Sequence, residues 1–157
     1  MNILTSWLGQ WEIEIVESGE VKEIVPLKNN LITDAGLNIL RDMLKGDITD
    51  AQIKYVALGS SIISPDSSDT KLWDEQFRKS VTSRNNDPVI PGKLYTELYI
   101  SDIEANSFRC EEIGWFAGVG AAETKDSGIM IARVLYSRQK SSTESWTIRR
   151  TDTISRG

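Results

Sequence analysis

The chain contains no histidine and a single cysteine, Cys110, among 157 residues. The first absence removes Ser-His-Asp and Cys-His catalysis, the HExxH zinc site and the commonest transition-metal ligand together. The second excludes an internal disulfide and every multi-cysteine metal site. Proline is scarce at 4 residues and glycine stands at 11, while 39% of residues are hydrophobic and 26% charged. That balance argues against a disordered or collagen-like chain. Basic charge is in the minority, with 18 Lys and Arg against 23 Asp and Glu for a net −5. A phosphate-tracking surface needs the opposite balance, so no nucleic-acid partner is expected. Nor does any apolar run approach the length of a bilayer span, and no membrane association is expected. The start, Met1-Asn2-Ile3-Leu4-Thr5-Ser6, lacks the basic and apolar regions of a signal peptide.

What is present suffices for one β-rich domain over residues 1–157. At this length about two-thirds of the unfolded chain's surface can be buried without disulfides or metals. Trp11, Ile13 and Ile15 alternate with Glu12 and Glu14, with a slip near Val16. Together with the turn Ser18-Gly19-Glu20 and the run Val21 to Leu27, this predicts a hairpin over residues 10–27. Pro26 suits an edge strand because it cannot donate to a ladder.

The period then changes. Thr33 is placed to N-cap a helix over 34–45, with Leu37, Leu40 and Leu44 at helical spacing and Ile39 and Met43 widening the apolar stripe. Lys45 and Gly46 suit its C-terminus. Ile53 to Leu58 reads as a buried strand. The turn-rich Ser64 to Asp69 follows, with Asp69 or Thr70 expected to cap a second, shorter helix bearing Leu72, Trp73, Gln76 and Phe77. Further strands are expected near Lys79–Ser83, Leu94–Ile100, Phe108–Phe116, Ile129–Tyr136 and Ser145–Ile154. The expected class is mainly β with two short helices (α+β), an antiparallel β-sandwich or partly closed barrel.

The chemical motifs are weak. Gly114 to Gly120 contains a GxG but lacks the third glycine and the helix of a dinucleotide fingerprint, and reads as a turn after a strand. No cofactor is expected. Glu111 and Glu112 should face opposite sides of a strand, with Cys110 on the side of Glu112. With nothing nearby to lower its pKa, Cys110 reads as an inert thiol. Asp66 and Asp69 depart from the EF-hand pattern and suit turn roles, so no metal site is expected. The late basic residues Arg133, Arg138, Lys140, Arg149, Arg150 and Arg156 read as a solvated face. No catalytic residues and no enzyme activity follow.

Five tryptophans are the surplus. Trp73 and Trp115 sit in apolar company and read as core. Trp7, Trp11 and Trp146 lie nearer termini and edges, where Trp serves interfaces. With Arg149 they are the candidate partner-binding residues.

The segments Asn29 to Leu37, Tyr55 to Ser60, Asp69 to Arg78, Glu112 to Phe116, Ile131-Ala132-Arg133 and Thr147 to Ile154 follow one another in an order that resembles a family of bacteriophage tail proteins. That family is related to tail-fibre attachment domains and to small tail-collar or baseplate components. The resemblance spans roughly residues 10–154 and implies a structural protein of the virion tail, made in the bacterial host cytoplasm. Its partners would be other tail, baseplate or fibre proteins, with copies forming a homo-oligomeric ring. Fibre proteins of this kind continue into a shaft and a receptor-binding tip, whereas this sequence stops at Gly157; an adaptor role at baseplate or collar is therefore expected. The alternatives are a neck or capsid-decoration protein and a carbohydrate-binding receptor-recognition module. The latter would use Trp or Tyr faces with Asn85, Asn86 and Asp87 as hydrogen-bonding neighbours. A hydrolase built on a carboxylate pair is held in reserve.

Overall fold

The computed structural model describes residues 6–27 and 31–156. The start Met1 to Thr5 and the Asn29-Asn30 boundary lie outside the described residues. Among the described residues the fold is mainly β, with one helix and two antiparallel sheets stacked in a sandwich-like arrangement that does not close into a barrel. The elements are β1 (Ser6–Glu17), β2 (Glu20–Leu27), β3 (Leu31–Ile32), α1 (Asp34–Lys45), β4 (Ile53–Gly59), β5 (Glu75–Ser80), β6 (Ser83–Asn86), β7 (Lys93–Ile100), β8 (Arg109–Ala117), β9 (Ile129–Gln139) and β10 (Glu144–Ser155). The first sheet has the order β2-β1-β10-β7-β6 and the second β3-β9-β8-β4-β5. At 12 residues, α1 is too short to cross a membrane.

The N-terminal hairpin forms as its alternation predicts. Its two-residue loop, Ser18-Gly19, has φ of 54° and 78°, the paired positive values that match strand twist in a tight hairpin. A register shift between Ile15 and Val16 accounts for the slip in the pattern. Pro26 lies on β2, at the sheet edge.

The two sheets differ in how they are covered. In β10, Glu144, Trp146, Ile148, Arg150 and Asp152 are buried and the residues between them are not, so the first sheet is buried on one face only. In β8 every residue from Glu112 to Ala117 is buried, because the second sheet is covered on both faces. Its outer cover comes from residues 60–74 and the loop around Ala121. Leu72 sits over Gly114, and Ala57, Phe116, Ala121 and Met130 complete a small outer cluster. Between the sheets lies the main core, where Trp11 meets Trp115 edge-on at 5.2 Å.

The expected second helix is absent. Residues 69–74 form an irregular cover, and 75–80 pair with β4 as a strand. The reason is tertiary: Glu112 accepts the amides of Trp73 and Asp74 at 3.1 and 2.8 Å, and Arg133 reaches Asp69. Backbone donors a helix would have used are taken by a buried carboxylate. Trp73, expected in the core, is 57% exposed.

Two further expectations are corrected. Arg133, Lys140 and Arg150 are buried rather than solvated. Cys110 and Glu112 do not share a face, because the register shifts between them; Cys110 turns into the core and Glu112 out under the cover. Finally, α1 is capped as expected, by Thr33 accepting the Gly36 amide and by Gly46 at φ 90°, yet of its apolar stripe only Ile39 is buried. Gly36 lies so close to the Ile131 backbone that a Cβ would collide with it.

Candidate interaction surface

Of the four candidate partner-binding residues, the structure places two in the core. Trp11 and Trp146 are buried, Trp146 stacked edge-on with Tyr136, and neither reaches a partner without unpacking the sandwich. Both lie on the inward face of central strands, β1 and β10 being flanked on each side. Trp7 and Arg149 remain accessible but belong to different surfaces.

Trp7 is half-buried at the end of the sandwich under α1, where its indole N–H donates to Asp152 at 2.8 Å. Asp152 in turn holds the Arg150 guanidinium through three hydrogen bonds, and that guanidinium lies 5.0 Å from the Trp11 ring. The hydrogen bonds fix the orientation of Trp7. A cleft of about 210 Å³ opens here between α1 and the strand ends, lined by Trp7, Leu40, Ile53, Leu94, Ile131 and Ile154. Outside it, α1 presents Leu37 at 51% and Leu44 at 91% exposure, with Met43 also exposed. Leu37, Leu40 and Leu44 fall on one stripe of the helix. The stripe was visible in the sequence; that Leu37 and Leu44 on it stand in solvent was not.

Arg149 stands on the uncovered outer face of the first sheet. Its Nε donates to Glu97 and its Nη1 to Glu14, each at 3.0 Å, with Glu12 at 3.6 Å. Nearby, the Tyr95 hydroxyl donates to Asp87, whose carboxylate also accepts the amides of Val89 and Ile90. These contacts hold the Asp87 carboxyl down at about 2. Asp87 thus shapes a turn, while Asn85 pairs across the ladder with Tyr95.

The remaining charged clusters hold the cover in place. Arg133 donates to Glu112 at 2.8 Å, and both are buried. Arg78 pairs with Glu75, lies 4.3 Å from the Phe116 ring and donates to Ala122 and Ser127 carbonyls. Sequence reasoning missed these pairs. Glu112 beside the apolar Ile113-Gly114-Trp115-Phe116 was the one available signal. Asp66 and Asp69 do serve turns, as expected. Burial pushes the Cys110 thiol well above its ordinary range, in keeping with an inert cysteine. Among the described residues no group of three or more Cys, Asp or Glu is arranged to hold a metal ion.

Comparison with known proteins finds no matching family model, curated protein or solved structure.

Proposed function

We propose that this chain is a structural, non-catalytic component of a bacteriophage tail or related contractile particle. It acts as an adaptor at the baseplate or collar that docks a fibre or a neighbouring ring protein. The observation that carries this reading is the outward stripe of α1: Leu37 and Leu44 stand in solvent beside the apolar cleft at Trp7 and Ile154. Contiguous exposed apolar surface is a mark of an interaction site. A helix locked to the sandwich through Gly36 and Ile39 presents that stripe rigidly, which lowers the entropy lost on docking. The resemblance of the sequence to tail proteins, read from the order of its segments, suggests the kind of particle.

Quantitative mass spectrometry on purified particles, separated into heads and tails, tests the proposal. The expected result is stoichiometric presence in the tail fraction at a copy number that fits a ring. Presence with heads alone would move the protein to the neck or capsid, and absence from both would overturn a structural role.

A further inference from the structure

The outer face of the first sheet has a chemistry that docking through α1 does not use. Strand register places Pro26, Glu12, Arg149 and Glu97 in one row across β2, β1, β10 and β7. Gln10, Thr151, Tyr95 and Asn85 form the next row across β1, β10, β7 and β6. A depression of about 440 Å³ opens along these rows, within the usual range for small-ligand sites.

Its polar groups are held in place before any ligand arrives. Glu97 and Glu14 fix the Arg149 guanidinium at Nε and Nη1, leaving Nη2 without a protein partner among the described residues. The hydroxyl of Tyr95 is tied to Asp87, so the ring is anchored by its polar tip, and the Lys93 ammonium lies over one side of it at 5.6 Å. Gln10 and Thr151 add an amide and a hydroxyl, each able to donate and accept.

Charge narrows the ligand. Three carboxylates surround one guanidinium on a chain of net charge −5, which disfavours phosphates, sulfates and acidic peptides. A compact cation would have to compete with Arg149, which already stands among the carboxylates. What fits is a neutral molecule with several adjacent hydroxyls, each donating to a carboxylate and accepting from Arg149 or Gln10, and with C–H surface for the part of the Tyr95 ring that lines the depression beside Lys93. We propose that this face is a binding site for a neutral carbohydrate. Asn85 lies at its margin, and the site does not depend on membership of a tail.

Titration of the isotope-labelled full chain with glucose, galactose, mannose and N-acetylglucosamine, followed by amide NMR shifts, tests this. The expected result is a saturable response to at least one sugar, confined to the outer residues of β1, β7 and β10. Arg149→Gln should weaken it on the order of tenfold, the loss of one charge-assisted hydrogen bond. Because Arg149 also joins three strands, the pair Gln10→Ala and Thr151→Val, both outward-facing, provides a second check at constant fold and should weaken binding as well. No response to any of the four sugars would overturn the proposal. So would shifts elsewhere on the chain, binding unchanged in both variants, or a response to spermidine in place of sugar.

Discussion

Arg133 on β9 donates from Nε to Glu112 on β8 across 2.8 Å, and both side chains are closed off from solvent. The same Glu112 carboxylate accepts the amides of Trp73 and Asp74, so one ionic contact ties the outer cover to the sheet beneath it. Removing one partner of a buried pair strands the other charge. Arg133→Met should therefore lower unfolding free energy by about 3–5 kcal/mol, measured by urea denaturation. Limited proteolysis should show new cleavage within residues 60–74. Glu112→Gln should cost less, since Arg133 keeps Asp69 at 3.4 Å as a charge partner and the amide oxygen still accepts a backbone N–H. A stable Arg133→Met protein with an intact cover would refute this account.

Alanine normally favours a helix over glycine by about 1 kcal/mol. At Gly36 the sign should reverse. A methyl there meets the Ile131 carbonyl and Cα, backbone atoms that cannot rotate aside, so α1 must shift off β9. Gly36→Ala is expected to destabilise by about 1–3 kcal/mol, the usual cost of overpacking, read as a fall in thermal midpoint.

Glu144 gives a pH signature. Burial opposes its ionisation, but hydrogen bonds from Arg138, the Ser141 amide and the Trp146 indole prevail and hold the carboxyl at about 2. An unfolded glutamate takes up its proton near 4.3. The carboxylate's contribution to stability is thus complete above roughly pH 5, shrinks as pH falls, and is lost below about 2. Glu144→Gln should flatten stability against pH between those limits, followed by denaturant midpoints at each pH. An unchanged acid limb would exclude this residue as a contributor.

The outward stripe of α1 separates folding from docking. Leu37→Ser and Leu44→Ser, at exposed positions, should change stability by less than about 0.5 kcal/mol. Their incorporation into tails should nevertheless fall sharply, measured by quantitative mass spectrometry of particles carrying the variants. Normal incorporation of the double variant would remove α1 from the interface.

Cys110 should resist iodoacetamide in the native protein and react once denatured, because the thiol is buried and its thiolate disfavoured. Mass spectrometry of the alkylated chain reads the result.

By itself the sequence determined the elements whose signals are local. Alternation and a two-residue turn specified the β1–β2 hairpin down to its bulge near Val16, Thr33 and Gly46 bounded α1, and runs of apolar residues marked β4, β7, β8, β9 and β10. Such patterns report the chain's own geometry, period 2 or 3.6, whatever surrounds it. Only the tertiary structure decided which side of each element is inside. The Leu37, Leu40 and Leu44 stripe has core spacing, yet the close approach of Gly36 to Ile131 leaves Leu37 and Leu44 outside. Trp11 and Trp146, near the chain's ends, are central because β1 and β10 meet in mid-sheet, a pairing of residues more than a hundred positions apart. Residues 69–77 have helical spacing but were claimed by Glu112 and by β4. Burial is a property of contacts between distant segments, and composition along the chain carries no record of which distant segments those are.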